Sequence, residues 1–202
     1  MSITRSLNEL LDLLGRFNHP IVDLLTPGLT RPEITQKLSF LERNIPEVIF
    51  ELFEWRNGRI YSEERPPYGV NILWPSGTFY SLVDCIDIYK SSWKSLGEEY
   101  FPVFASIGGE IWYINMDEGY NGFVYLFAPT LTHSSKLMSQ FDSLEIMINS
   151  FISAIKNKVY VYNGGWITDP KLYVDFFKHH HPKSVFWNHS ERYGNDENVI
   201  VS

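Results

Sequence analysis

Cysteine is nearly absent from this chain of 202 residues. The lone Cys85 excludes an intrachain disulfide and any metal site built from cysteines alone, and it predicts a reducing, cytoplasmic setting. No apolar run approaches the roughly 20 residues needed to cross a bilayer. Glu9 and Asp12 interrupt the leucine-rich start, where a signal peptide would need an uncharged core. Lysine and arginine number 17 against 24 aspartates and glutamates, a net charge of −7, and they form no block. The electrostatic footprint of a nucleic-acid binder is therefore missing. Neither an internal repeat nor a low-complexity segment divides the chain, so one domain is expected, with no nucleic acid and no membrane among its partners.

What is present argues for a packed core, since 44% of residues are hydrophobic and 16% aromatic. The stretch 45–58 is the most informative part. Pro46 is suited to open a helix, because its missing N–H would be an orphan in the first turn, and Glu47 places a negative charge at the positive end of the helix dipole. Val48, Ile49, Leu52, Phe53 and Trp55 recur at helical spacing and predict a buried side. Asn57-Gly58 predicts the stop, both residue types tolerating the left-handed conformation. Pro46, Trp55, Asn57 and Gly58 are accordingly expected to be structural.

Earlier in the chain, Leu7, Leu10, Leu11, Leu14 and Phe17 predict a helix, residues 26–32 a connecting loop, and Ile34, Leu38, Leu41 and Ile45 a second helix over 32–44. After Gly58 the texture changes. Residues 59–61, 70–74 and 79–82 read as short strands, with breaks at 66–69 and 75–77, and 92–96 reads as a short helix. Residues 101–105, 110–115 and 123–127 are the most strand-like, with turns at Gly108-Gly109 and at 119–122. Leu144, Met147, Ile148, Phe151 and Ile155 predict an amphipathic helix from Ser143 to about Asn157. A last helix is expected over 169–181 with Leu172, Phe176 and Phe177 inward, followed by a polar tail. Helices first, strands in the middle and helices last predict an α+β domain, its central sheet mixed or antiparallel and flanked by the terminal helices.

Few motifs suggest chemistry. Gly108-Gly109 and Gly164-Gly165 lack the spacing of a phosphate-binding loop and read as turns. His179-His180-His181 diverge at about 100° per residue on a helix, which disfavours shared metal ligation. Cys85 stands between Asp84 and Asp87, whose charges disfavour a thiolate, so a buried apolar role is expected. Asp84 and Asp87, Glu98 and Glu99, and Asp117 and Glu118 are possible acid/base pairs, but loop carboxylates are commonly just solvated. Asn188-His189-Ser190 matches a glycosylation sequon, which has no meaning in a cytoplasmic protein. Trp55 is expected in the core. Trp74 and Trp112 are candidates for exposed protein-binding anchors, although packing under loops is the commoner use. Neither cofactor nor metal is expected.

Taken in order, Ile45-Pro46 with its helix and Asn57-Gly58, then Phe101-Pro102-Val103-Phe104-Ala105 with Gly108-Gly109, then Val124-Tyr125-Leu126, then the helix from Ser143, resemble the SUKH superfamily. That superfamily includes yeast cell-wall glucan-synthesis regulators and bacterial immunity proteins. Residues 159–187 also have a counterpart in bacterial members, with His181-Pro182 in place of an Asn-Pro pair, whereas Ser106-Ile107 departs from the acidic residues many members carry before the glycine pair. The resemblance covers about 32–187, leaving 1–31 as an N-terminal helix and linker and 188–202 as a tail. It implies a non-catalytic protein-binding domain, an immunity protein against a cognate toxin, with a regulatory scaffold of the cell-wall-synthesis type as the alternative. Glu98, Glu99, Asp117, Glu118 and Tyr120 are the expected partner-binding residues, because they fall in predicted loops where charge stays solvated until a partner arrives. An acidic surface of this kind suits a basic toxin such as a nuclease.

Overall fold

The structure, a computed structural model, describes residues 2–60, 72–75, 77–106, 108–120 and 122–189. The turn expected at 66–69, residues 61, 70, 71, 76, 107 and 121, and the tail from 190 onward lie outside the described residues.

Helix α1 (Ile3–Arg16) buries Ile3, Leu7, Leu10 and Leu14, and Ser2 caps it by accepting from the Thr4 N–H. The stripe stops one residue short of expectation. Phe17 is the C-cap and is exposed, and Asn18 follows with a left-handed φ of 52° that turns the chain away. After the single turn α2 (Ile21–Leu24), residues expected as loop form a strand, β1 (Leu25–Pro27), paired antiparallel with β2 (Arg56–Arg59). Helix α3 (Arg31–Leu38) opens with a capping box between Thr30 and Glu33 and ends six residues before the expected Asn44; Ile34, Leu38 and Leu41 are buried, while Ile45 is half-buried. Helix α4 (Glu47–Trp55) buries Ile49, Leu52, Phe53 and Trp55, with Val48 only half-buried.

Among the described residues the main sheet has five strands in the order β3-β4-β5-β6-β7, all antiparallel. Its members are β3 (Thr78–Phe79), β4 (Tyr100–Ala105), β5 (Ile111–Asn115), β6 (Val124–Phe127) and β7 (Met138–Phe141). Strands β4, β5 and β6 fall where alternation and turn glycines place them. The region before them does not. The expected strand over 79–82 and the short helix at 92–96 are replaced by the two-residue β3 and one helix, α5 (Leu82–Leu96). Ser81 and Asp84 close a capping box at its start, and Leu82, Cys85, Ile86 and Tyr89 form its buried stripe, so local capping and helical period prevail over the apolar run. Residues 72–74, expected as strand, form a buried turn closed by Leu73 N–H to Gly77 O and Gly77 N–H to Trp74 O, each 2.8 Å.

Beyond β6 come α6 (Pro129–Thr132) and, after β7, α7 (Leu144–Lys156), capped by Ser143 and ending at Asn157 as its periodicity predicts. The hairpin β8 (Tyr160–Tyr162) and β9 (Trp166–Thr168) leads to α8 (Pro170–His180), capped by Asp169, and α9 (Val185–Asn188). On α8 it is Phe177 that is fully buried, Phe176 is half-buried, and Leu172, expected inward, is exposed. The fold is a single α+β domain. Aromatic contacts run through its core: Trp74 stacks on Phe151 at 4.7 Å and meets Phe104 edge-on at 4.8 Å, and Phe177 stacks on Trp187 at 4.7 Å.

Candidate protein-binding surface

Helix α5 ends at Leu96 because Gly97 takes a φ of 118°, and Glu98-Glu99 carries the chain into β4. Tyr100 pairs with Asn115 at the end of the β4–β5 hairpin, and one step beyond, the Met116 N–H donates to the Glu99 carbonyl at 2.7 Å. That bond sets the two acidic pairs side by side. The Asn115 side-chain oxygen accepts from the Asp117 N–H at 2.8 Å, starting a tight turn that continues through the 3-10 segment Glu118–Tyr120. Glu98, Asp117, Glu118 and Tyr120 are exposed and Glu99 is half-buried, so the structure brings all five of the expected partner-binding residues to one end of the sheet.

Tyrosines flank the carboxylates. Strand alternation and register put Tyr100, Asn115, Tyr113 and Tyr125 on one face, where the half-exposed Tyr100 and Tyr125 meet edge-on at 5.1 Å. Burial raises the pKa of both phenols, and for Tyr100 the neighbouring Tyr125, Glu99 and Asp117 act in the same direction, so both remain hydrogen-bond donors. Tyr120, 54% exposed, meets Phe123 edge-on at 5.9 Å. Asp117 also reaches the Arg43 guanidinium at 3.5 Å. The carboxylate is 54% accessible, so a pair that is open to water on this side contributes about 0–1 kcal/mol and leaves the carboxylate available to a stronger partner.

The residues expected to be structural fall elsewhere. At the far end of the hairpin, Ser106 Oγ accepts from the N–H groups of Gly108 (3.0 Å) and Glu110 (3.2 Å), and Gly109 has a φ of 92°, which makes this a glycine-dependent turn. Pro46 is buried, but it precedes the first turn rather than occupying it, with φ −54° and ψ 137°. Trp55 is 6% exposed and its Nε1–H donates to Asn8 Oδ1 at 2.8 Å. Asn57-Gly58 is not the helix stop. The extended Arg56 ends α4, and Asn57-Gly58 lies inside β2, where Asn57 Oδ1 accepts from the Leu82 N–H at 2.9 Å and so helps to cap α5. The left-handed preference is real at Gly58, whose φ is 75°, but it serves a close approach to the start of α5. Of the two tryptophans considered as anchors, Trp74 is fully buried, and Trp112, 5% exposed, donates to the buried Gln140 Oε1 at 2.6 Å.

Of the chemistry-bearing candidates, Cys85, Asp84 and His181 are engaged by the fold. Cys85 is fully buried, and burial first and Asp84 second push its thiol pKa well up. Asp84 itself accepts from Ser81 in the α5 cap. His179 and His180 are exposed with rings nearly perpendicular, and His180 Nδ1 lies 2.7 Å from the Phe176 carbonyl. His181 Nε2 is 2.9 Å from Ser150 Oγ, with Asp142 near enough to act on the imidazole, an arrangement that superficially suggests a hydrolytic triad. The Ser150 hydroxyl, however, donates to the Ile146 carbonyl at 2.7 Å, which leaves the imidazole to donate to it and ties α8 to α7. Burial lowers the His181 pKa, consistent with a neutral ring packed edge-on against Phe141 at 4.9 Å. Among the described residues no group of three or more His, Cys, Asp or Glu side chains is placed to hold a metal, and no helix is long and apolar enough to cross a membrane. No family model matches the chain, and no curated protein sequence does either.

The sequence missed half of this surface. Tyr100 and Tyr125 carry no motif, and only the strand register brings them together beside the acidic turns. Arg43 was legible as a charge but not as a neighbour of Asp117, 74 positions away.

Proposed function

We propose that this chain is a non-catalytic protein-binding domain, an immunity protein that neutralises a basic bacterial toxin domain by covering its active site or substrate groove. The observation that carries the reading is the bond from Met116 N–H to the Glu99 carbonyl, because it joins two acidic loops and the exposed Tyr120 into one surface. Carboxylates of this kind steer a positively charged partner, and tyrosines beside them supply contact area with a polar tip at low conformational cost. A toxin that cleaves nucleic acid must itself present a basic groove to phosphates, which makes a protein of net charge −7 a natural cover for it. The ordered resemblance to SUKH proteins supports the same reading independently of charge.

The test is co-expression with any toxin domain found encoded beside this chain. The wild-type protein should protect the host and co-purify with the toxin, and association should slow as salt rises. The double reversal Asp117→Lys with Glu118→Lys should fold normally and associate more slowly. Salt-independent binding that ignores the reversal would remove this surface from the proposal. A complete lack of toxin binding would sink the immunity reading in favour of a regulatory scaffold.

A further inference from the structure

We propose that the pocket between β7 and the turn joining α8 to α9 is a binding site for a primary carboxamide, supplied by a small free amide or by an asparagine or glutamine side chain. The site uses none of the residues of the acidic surface and does not depend on the protein-binding reading above.

The pocket begins with an irregularity in β7. Val124 of β6 pairs with Phe141 and Tyr125 with Ser139, so Gln140 is the extra residue of a β-bulge. The bulge lets the adjacent Gln140 and Phe141 both be buried, at 2% exposure each. Gln140 Oε1 accepts from the Trp112 Nε1–H at 2.6 Å. An indole nitrogen only donates, which fixes the amide: its oxygen faces Trp112 and its NH2 is turned the other way. Among the described residues nothing accepts from that NH2. A buried donor left unmade is costly, and an acceptor brought by a ligand relieves that cost. The space for one exists, since Gln140 lines a pocket of about 240 Å³ together with Asp142, His180, His181, Lys183 and Ser184.

The other lining groups sort by the hydrogen bonds left to them. Ser184 is engaged within the fold, its Oγ donating to the Ser139 carbonyl at 3.1 Å and accepting from the Trp187 N–H at 3.2 Å. His180 Nδ1 carries a proton, because the Phe176 carbonyl 2.7 Å away only accepts, and in the neutral ring Nε2 is then an acceptor. His181 donates to Ser150 through Nε2, and its Nδ1 is likewise an acceptor. Asp142 adds a carboxylate, and the exposed Lys183 balances its charge at the rim. One rigid, uncharged donor therefore stands among several acceptors. A ligand must bring an acceptor for Gln140 and hydrogens for its surroundings, and a carboxamide carries both on one carbon. A carboxylate would set lone pairs against Asp142 and the imidazoles, a ketone satisfies Gln140 alone, and an ammonium cannot satisfy it at all. The volume is below the roughly 300–1,000 Å³ of ordinary small-molecule pockets, which suits one small group.

The probes are butanamide, butanoate and 2-pentanone, which are alike in size, titrated at neutral pH into the nitrogen-15-labelled full chain by NMR. Butanamide should move the side-chain NH2 signals of Gln140 and the indole N–H signal of Trp112, and should bind several-fold more tightly than the other two. Unmoved Gln140 signals, or a carboxylate or ketone that binds as tightly as the amide, would overturn the site. Gln140→Glu keeps an acceptor for Trp112 and replaces the NH2 by oxygen, so it should lose the response to butanamide; a folded variant that still binds the amide as wild type does would refute the role of this donor. Lys183→Ala, at the exposed rim, keeps the test open if that variant fails to fold. It should leave butanamide binding unchanged, and a several-fold loss would mean that charge rather than the amide governs the pocket. Acetyl-glutamine-methylamide separates the two sources, with acetyl-methionine-methylamide as its control. Binding of the glutamine compound assigns the site to a side chain of another protein, and binding of butanamide without it assigns the site to a free amide. Equal binding of the methionine compound would show that the peptide backbone is the ligand and overturn the primary carboxamide.

Discussion

At Asn57-Gly58 the polar groups turn into the protein, whereas at the end of the sheet formed by Glu98, Glu99 and residues 117–120 they turn out of it. Asn57 Oδ1 accepts from Leu82 N–H, the Asn57 and Gly58 carbonyls lie 2.5 and 3.3 Å from Thr26 Oγ1, and Gly58 is buried. Glu98, Asp117, Glu118 and Tyr120 remain in water, and Asp117 has its cation at 3.5 Å. Both regions consist of turn-forming and polar residues, and both begin where a helix meets a strand. The difference lies in what surrounds them. The first is wedged between β1 and the start of α5, and the second projects past the last pairing of a hairpin. A polar residue that completes a neighbour's hydrogen bonding belongs to the fold, and one left solvated is free to meet a partner.

The comparison is tested most severely next to Asn57-Gly58, on the helix that leads into it. Trp55 is buried, stacks on Phe79 and holds Asn8, so Trp55→Ala should cost about 3–5 kcal/mol, a large share of the roughly 5–15 kcal/mol of a typical domain. Chemical denaturation should show the midpoint collapse, and an unchanged curve would break the assignment of this helix to the core. Gly58→Ala should come next. Its φ of 75° disfavours a side chain, and an added Cβ would lie 2.4 Å from the Ser81 backbone nitrogen, so strain alone should cost about 1–3 kcal/mol. Gly109 has a similar φ of 92° but no atom within 4 Å of the position a Cβ would take, so Gly109→Ala should cost visibly less than Gly58→Ala. Equal losses would mean that backbone conformation, not close approach, sets the demand. Asn57→Ala removes one acceptor at the start of α5 and should cost about 1 kcal/mol, with the loss read in the same denaturation experiment.

The α+β class, α1, α7 and the strands β4 to β6 were legible because each rests on a strong period or on glycines at the turns. The Ser143 cap and the leucine and phenylalanine spacing of α7 required no tertiary information. Helix α5 was misread although Ser81 and Asp84 carry its capping box, because the apolar residues 79–82 look like a strand when the cap is overlooked. Strand β1 was invisible for a different reason. Leu25 and Thr26 precede Pro27-Gly28, and only β2, about thirty residues on, gives them a partner. Leu172 was placed inward by its hydrophobicity, yet the face of α8 is set by Phe177 packing on Trp187 and Phe151, a choice made by the neighbours. The acidic residues of the candidate surface were found as loop charges. Their tyrosine neighbours and the pocket beside Gln140 arise from strand register, which no local pattern encodes.

The smallest stability effect belongs to the charge reversal, and it tests the other half of the comparison. Asp117→Lys removes the contact with Arg43 and sets two cations near each other, but the pair is open to water on the Asp117 side, where 54% of the side chain is accessible, against 28% for Arg43, whose contacting Nη1 is buried. Water weakens such a half-open pair directly, and salt screens its interactions with charges beyond roughly 8–10 Å at physiological ionic strength. Glu118 lies in the exposed turn and Glu118→Lys there changes only solvated charge. Together the two substitutions should shift stability by less than about 1 kcal/mol, within the range expected for exposed ion pairs. The Asn115 side chain, which starts the turn by accepting from the residue 117 N–H, is untouched by either change, so the backbone has no reason to move. The measurement is a melting curve at low and at high salt: any small loss at low salt should fade as salt rises. A loss of several kcal/mol that persists in high salt would mean that this turn, like Asn57-Gly58, holds the fold together, and the distinction between the two regions would fail.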